Sequence, residues 1–317
     1  MIPLEAVRAA MRREGIDALV LRPSPDFRFL GGRGDAYLVV TLSGRPVETA
    51  DPVVPSSARR VGVDPEMRVA ELFALRIDAE LVPASAVLAS LRQVKEAREL
   101  TALARAGGAA GAALDLVLAQ PWFGRTERDM AVRLRVALAE TGCEEALSVR
   151  VSAGSHTSLP AHQPSDRVIN PGDAVQVSVL GRWDGYCAEV ARVYAVAEPP
   201  EDYEAMYSVV LAAHRAALSA VRPGVTVGAV SAAAAAVIDG SGYGPFAAPL
   251  TGRGIGLGAH EPVSDATVLR PGMTLVLEPA IHLPDLFGAR LAGVVACTSS
   301  LAAALTPPPA ALPILDA

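Results

Sequence analysis

The sequence predicts an α+β protein built from two domains, and three features of the pattern support this. Residues 1–92 alternate amphipathic helix patterns with short buried strands, as in a small α/β domain. Residues 93–317 carry two helices followed by strands, and this order occurs twice. Glycine-rich strands complete the chain. We therefore place the domain boundary near residue 92.

Composition indicates a cytoplasmic protein. The chain has 317 residues, a formal net charge of −6 and no basic patch, so the sequence does not favour nucleic acid as a partner. No apolar run approaches the roughly 18 residues of a membrane-spanning helix, and the amino-terminal sequence lacks the apolar core of a signal peptide. Three widely spaced cysteines fit no ligand pattern. We expect no membrane partner.

The first domain is predicted to begin with a helix in EAVRAAMRREG that ends at Gly15, because glycine readily adopts the conformation that terminates a helix. The segment DALVL follows as a buried strand, and AYLVVTLSG and PVETADPVVP form short strands around a turn.

The second domain is predicted to begin with a helix from Leu91 to Gln120, weakened or bent by Gly107, Gly108 and Gly111.

Thr126 is the predicted N-cap of the next helix, which runs to Glu140 with Asp129 in its first turn.

The proline-rich end, TPPPAALPILDA, is predicted to be irregular. The remaining predicted elements are strands at about 146–152, 174–180 and 189–196 and helices at about 201–221 and 226–239.

Three segments in the second domain share an order and spacing with a known family. They are VQVSVLGRWDGYCAEVAR, TGRGIGLGAHEP and GMTLVLEPAIHLPDLFGARLAGV. On these segments the chain resembles the creatinase, aminopeptidase P and prolidase family. The resemblance implies a pita-bread fold for the second domain, a shortened form of the family's α/β amino-terminal domain, and a homodimer.

The resemblance also identifies the positions at which metal-dependent members hold two cations with Asp, Asp, His, Glu and Glu. An arginine has no lone pair to offer a metal and remains charged, so Arg253 would repel a cation. We expect it to pair with Glu189 and Glu278, and we expect neither a metal nor another cofactor. The matching residues here are Ser178, Glu189, Arg253, Glu278 and Ala292.

His260, His162 and Glu278 are the catalytic candidates. His260 matches a family histidine that lies over the scissile group, and imidazole titrates near neutral pH. His162 lies in a loop where relatives carry a histidine, although the matching position is Ala161. The alternatives are a structural role for His260, a surface-loop histidine at 162, and a Glu278 that only pairs with Arg253.

Four residues are predicted to bind substrate. Arg253 and Arg290 could hold a carboxylate, although Arg290 has either lost its partner or binds an anionic ligand. His282 faces the pocket or lies at an edge. The set is Arg253, Glu189, Arg290 and His282.

Two other histidines are not predicted to belong to the site. His156 is interpreted as a loop residue, and His214 as part of the solvated face of its helix.

The favoured hypothesis is a metal-independent enzyme that acts on a small amino-acid-like or peptide-like substrate, by hydrolysing a C–N bond or by related acid–base chemistry, including elimination or cyclisation. One alternative is a catalytically inactive protein that binds a ligand or acts as a scaffold, since the expected ligands are replaced. A second is a metal-dependent Xaa-Pro peptidase, which needs ligands that the five positions lack.

Overall fold

The structure is a computed structural model that describes residues 4–249 and 252–315. The chain divides into two compact units, Met1–Gln93 and Val94–Ala317. Helices pack on mixed and antiparallel sheets, which confirms the predicted α+β class.

The first unit contains one five-stranded sheet in the order β3-β2-β1-β4-β5. The central strand β1 pairs antiparallel with β2 and parallel with β4. The predicted first helix and its glycine end are confirmed, since Gly15 has φ +65° directly after the helix. The elements are α1 (Leu4–Glu14), β1 (Ala18–Leu21), α2 (Pro25–Phe29), β2 (Tyr37–Thr41), β3 (Val47–Thr49), β4 (Arg60–Val63), α3 (Val69–Ala74), β5 (Glu80–Pro83) and α4 (Ser85–Gln93).

The described part of the second unit contains two four-stranded sheets and a two-stranded ribbon. One sheet has the order β15-β8-β7-β6, the other β14-β13-β10-β9, and the ribbon is β11-β12. The elements are α5 (Ala97–Leu118), α6 (Glu127–Glu140), β6 (Glu145–Ala153), β7 (Ala174–Trp183), β8 (Tyr186–Val196), α7 (Tyr203–Ala220), α8 (Val227–Gly240), β9 (Gly252–Gly254), β10 (Thr274–Leu277), β11 (Ala280–Leu283), β12 (Phe287–Arg290), β13 (Gly293–Cys297), β14 (Ala302–Ala304) and β15 (Ile314–Leu315).

The second unit is an internal repeat with an offset of 100 residues. Thr126 caps α6 and bridges to Val168, and Thr226 caps α8 and bridges to Val268. The hydrogen bonds around these caps repeat as well. The amide of Gly124 donates to Ile169 at 3.0 Å, and the amide 100 residues later, at Gly224, donates to Leu269 at 2.9 Å. The predicted order of helices and strands, repeated twice, therefore corresponds to two halves with the same backbone pairing.

Each half has its own apolar core between a helix pair and its sheet. In the first half, α5 and α6 pack on β6, β7 and β8 around the buried side chains of Trp122, Leu134 and Val177. In the second half, α7 and α8 pack around Tyr203 and Leu275.

The helix predicted from Leu91 begins later than expected, at Ala97. The amide of Lys95 donates to Gly272 at 2.8 Å and Val94 bridges to Met273, which ties this stretch to an extended segment. The glycines do not break the helix. Gly107 and Gly111 instead allow the close approach of Leu305 and Pro307.

Two further expectations are wrong. His214 is buried, with an exposed fraction of 3%, rather than solvated, because its side of α7 packs into the second core. The proline-rich end is not wholly irregular, since Ile314 and Leu315 pair with β8. Its last two residues, 316 and 317, lie outside the described part of the chain.

One helix among the described residues, α5, is long and apolar enough to cross a membrane by length and composition alone. Its buried face, which includes Leu103, Ala110 and Val117, belongs to the first half of the second unit. A core helix of this kind passes the same length and composition test.

Candidate functional site

A cluster of two carboxylates and two guanidinium groups lies where strands from both halves meet. Ser178 is on β7 and Glu189 on the neighbouring β8, while Arg253 comes from β9. Glu278 follows β10, and Arg290 ends β12. Because Ala191 of β8 bridges to Ala292, the end of β12 is held against the first sheet.

Arg253 binds both carboxylates, as expected from the sequence. Its Nε donates to Glu278 Oε1 at 3.1 Å, and its Nη2 donates to Glu189 Oε2. Its Nη1 donates to the carbonyl oxygen of Ala259. The planar fork of the side chain thus contacts three acceptors.

Arg290 binds the same two carboxylates from another strand. Its Nη2 donates to Glu189 Oε1 at 2.6 Å and to Glu278 Oε2. Its Nη1 donates to Ser178 Oγ at 3.2 Å. The sequence left open whether Arg290 had lost its partner, and the structure shows that it has two.

The cluster is nearly shielded from solvent and electrically balanced. The side chains of Glu189 and Glu278 are 5% and 15% exposed, and those of Arg253 and Arg290 are 16% and 21% exposed. Burial lowers the pKa of Arg253, and the charge of Glu278 opposes that change. An arginine remains charged in either case, so each carboxylate faces two permanent cations.

A cavity of about 340 Å³ opens beside this cluster. Arg253, His260, Val227 and Asp265 are among its lining residues. His260 is an exposed member of this group. Burial, together with the charge of Arg253, lowers the pKa of His260, so its imidazole is neutral at neutral pH and can accept a proton.

His282 does not line this cavity. Its Nδ1 lies 3.2 Å from the carbonyl oxygen of Thr157, and burial lowers its pKa. The nitrogen therefore carries the proton and donates to that oxygen.

His162 forms part of a second group, with Glu127 and His156. His162 Nε2 lies 2.7 Å from Glu127 Oε2, and His156 Nδ1 lies 2.9 Å from Glu127 Oε1. The two imidazole rings are 4.2 Å apart between centroids. The nearest ligand atoms of all three residues lie within 4.8 Å of one another, so the group could hold a metal ion.

Comparison with known proteins identifies the family. The profile of metallopeptidase family M24 matches residues 101–299. The chain is 37% identical over 277 residues to the probable dipeptidase PepE of Mycobacterium bovis, covering 83% of this chain and 70% of that protein. The chain belongs to metallopeptidase family M24.

Other members show the same fold. The crystal structure of dipeptidase PepE from Mycobacterium ulcerans matches with a TM-score of 0.89 and 32% identity, covering 99% of this chain and 97% of that one. The Xaa-Pro dipeptidase of Pyrococcus furiosus is 30% identical over 225 residues, which is 69% of this chain and 65% of that protein. The pita-bread fold and the family predicted from the sequence are both confirmed.

Membership in M24 overturns the favoured functional hypothesis. M24 is a family of metallopeptidases, and the matched relatives are named dipeptidases, so a metal-independent enzyme has no support. The described residues also contain a group that could hold a cation, Glu127 with His156 and His162. None of these three residues is among the five family positions, and the sequence does not show that the loop at 156–162 folds back onto the start of α6. The expectation of an enzyme, and of a hydrolase, is supported because the relatives are peptidases.

The five family positions of this M24 chain do not fit two cations in the arrangement seen here. Ala292 has no ligand atom, and Ser178 Oγ accepts a hydrogen bond from Arg290. Both carboxylates are paired with guanidinium groups. A pair of cations at this place would have to displace Arg253 and Arg290.

Two members of the second group, Glu127 and His156, were not predicted as site residues. The predicted cap at Thr126 already placed Glu127 at the first helical position, beside the cap's hydrogen bonds. The sequence alone does not show the path of the loop at 156–162, which brings His156 to Glu127. The loop closes because the amides of Ala153 and Ser165 both donate to the Glu127 carboxylate, at 2.8 and 3.0 Å.

Proposed function

We propose that this chain is a peptidase that hydrolyses short peptides, dipeptides among them, and that its activity requires a divalent cation. The observation that carries the proposal is the cavity beside Arg253 and His260, in a fold shared over nearly the whole chain with a dipeptidase. Membership in a family of metallopeptidases supports the requirement for a cation.

The arginines suit a substrate with a free carboxylate. Arg253 uses three of its five N–H groups in the bonds to Glu278, Glu189 and Ala259 described above. The others remain for a substrate carboxylate, to which guanidinium binds well. A dipeptide carries such a group close to its scissile bond.

His260 is the proposed acid–base residue. Hydrolysis of an amide requires that the attacking water lose a proton and that the leaving nitrogen gain one. His260 lines the cavity and its lowered pKa keeps it ready to accept a proton. Glu278 and Glu189 are proposed to position Arg253 and Arg290. No step in this cavity is proposed for His162, which contacts Glu127, or for His282, which contacts Thr157.

The test is hydrolysis of a panel of dipeptides, with and without proline in the second position, after removal of metal and re-addition of manganese, cobalt or zinc. We expect cleavage that depends on an added cation and that falls in His260→Ala prepared in the same way. The matched variant excludes a contaminating peptidase. Absence of cleavage of every dipeptide with every cation would overturn the proposal.

A second candidate function is ligand binding without turnover. The pairing of both carboxylates with two arginines favours it, because a cluster of balanced charge can bind a zwitterion without reacting. Calorimetric binding of dipeptides by a protein that cleaves none of them would support this candidate. Homodimeric assembly and a cytoplasmic location also remain proposals.

A further inference from the structure

The second group of candidate ligands lies at the start of α6, away from the five family positions in sequence. Glu127 is fully buried, and the side chains of His162 and His156 are 11% and 30% exposed. Exposure to solvent therefore increases from the buried carboxylate of Glu127 to His162 and then to His156, which is the most exposed of the three. They supply one negative charge and two neutral donors when the histidines are unprotonated.

The internal repeat shows that a helix start of this kind forms without a carboxylate. The position equivalent to Glu127 in the second half is Val227, which begins α8 in the same way. The amide of Glu127 donates to the carbonyl oxygen of Arg167 at 3.1 Å, and the amide of Val227 donates to the carbonyl oxygen of Thr267 at 2.9 Å. The same helix start thus forms with an apolar side chain, so the backbone at the start of α6 does not itself require the carboxylate of Glu127.

The Glu127 carboxylate is held in place by groups other than the histidines. The amides of Ala153 and Ser165 donate to it at 2.8 and 3.0 Å, and the hydroxyl of Ser165 donates at 2.7 Å. Burial raises the pKa of Glu127, but these bonds and that from His162 together lower it. Hydrogen bonds of this kind orient the ligands of protein metal sites.

We propose that Glu127, His156 and His162 bind a single divalent cation of the zinc class. Two imidazoles and one carboxylate are a ligand set of zinc sites, and three protein ligands leave a fourth position for water. Imidazole favours zinc and its neighbours over magnesium or calcium. The proposal concerns metal binding and does not depend on peptidase activity.

The ligand atoms must shift before they surround one ion. Zinc bonds of about 2.0–2.2 Å in a tetrahedron separate ligand atoms by about 3.3 Å. Here the imidazole nitrogens lie 2.7 and 2.9 Å from different oxygens of the Glu127 carboxylate, and the ligand atoms of the three residues lie within 4.8 Å of one another. On binding, His156 would use Nδ1 and His162 Nε2, so the proton of each ring moves to its other nitrogen. The nearby cation Arg167 is already paired with Asp173 at 2.7 and 2.8 Å.

The test measures metal bound by the full chain. The protein is freed of metal, incubated with zinc and then desalted, and its metal content is determined by plasma mass spectrometry, with cobalt absorption as a second readout. We expect about one ion per chain in the unmodified protein and in His260→Ala, the matched histidine control. We expect His156→Ala and His162→Ala to lose the ion, and Ser165→Ala to weaken the affinity about 10–100-fold.

Other results would overturn the proposal. One is unmodified protein that retains no zinc. Another is His162→Ala with the same zinc content and affinity as the unmodified chain. Loss of the ion in Glu278→Gln with retention in both His156→Ala and His162→Ala would place the cation at the family positions instead. Circular dichroism of each variant shows whether the chain is folded, and His156, the most exposed ligand, is the substitution least disruptive to the fold.

Discussion

Arg290 and Glu189 are joined by a hydrogen bond of 2.6 Å between Nη2 and Oε1, although they lie 101 positions apart and on different strands. Arg253 reaches the other oxygen of Glu189 from a third strand. The result is a ring of alternating charges in which each guanidinium contacts both carboxylates. Two arginines therefore balance two glutamates, where the sequence predicted one arginine between them.

Replacement of Arg253 with methionine should destabilise the protein by about 3 kcal/mol, because two largely buried carboxylates lose one of their two partners. Arg290 remains, so the loss falls at the lower end of the range for broken buried pairs. Urea unfolding followed by circular dichroism measures the change.

A matched control is Arg128→Met. Arg128 pairs with Asp166 on the surface, with side chains 61% and 81% exposed. Exposed ion pairs contribute little, so this variant should unfold at nearly the same urea concentration as the unmodified chain. Equal stability of the two variants would mean that the Arg253 pairing adds no more than a surface ion pair.

The adjacent glycines of α5 should respond to alanine in opposite directions. A Cβ at Gly107 would collide with the carbonyl group of Leu305, whereas a Cβ at Gly108 meets nothing within 4 Å. Gly107→Ala should cost about 1–3 kcal/mol, as overpacking does. Gly108→Ala should stabilise by up to about 1 kcal/mol, since alanine favours a helix. Thermal unfolding of both variants measures this, and a gain in Gly107→Ala would contradict the packing seen here.

The fold was predictable because its signals are local. The cap at Thr126, the glycine end at Gly15 and the periodicity of the strands each depend on neighbouring residues, and each is present in the structure. The resemblance to the family added the pita-bread fold of the second unit.

The arrangement of the candidate site was less predictable because it depends on long-range contacts. Arg290 meets Glu189 only because β12 lies against β8, and His156 meets Glu127 only because the loop folds back onto α6. His214 was misassigned because its helix is apolar on most sides, so the sequence pattern does not show which side is buried. Roles in catalysis and binding remain predictions for all the residues of the site.

Lys95 and Glu261 should show strong energetic coupling. Their side chains are only 3% and 2% exposed, and Nζ lies 3.2 Å from Oε2. Lys95→Met removes the cation that faces the buried carboxylate of Glu261, and this should lower the free energy of unfolding by about 3–5 kcal/mol. Adding Glu261→Gln removes that charge while its amide oxygen can still accept from the amide of Gly258, a bond of 3.2 Å in the structure.

The double variant should therefore be more stable than Lys95→Met alone. A double-mutant cycle by urea unfolding gives the coupling, which we expect at about 1–3 kcal/mol. Additive losses within about 0.3 kcal/mol would show that the two residues act independently.

His214 should make the protein sensitive to mild acid. Burial lowers the pKa of His214 to about 4, and its Nε2 has no hydrogen-bond partner among the described residues. The unfolded chain binds the proton near pH 6.5 and the folded chain only near pH 4. Protonation of His214 therefore favours the unfolded chain. The free energy of unfolding keeps its full value above about pH 6.5 and decreases by about 3 kcal/mol as the pH falls to 4.

His214→Leu removes both the titrating group and the unpaired nitrogen. Its unfolding free energy should change less between pH 7 and 4 than that of the unmodified chain, and it should be the more stable protein at pH 4.5. His214→Asn, which does not titrate, should show the same reduced pH dependence while keeping a polar group in the core. A buried neutral imidazole at position 214 requires that the unfolding free energy of the unmodified chain depend more strongly on pH than that of the two variants. If urea unfolding gave the same pH dependence in all three proteins, the acid sensitivity would come from other groups.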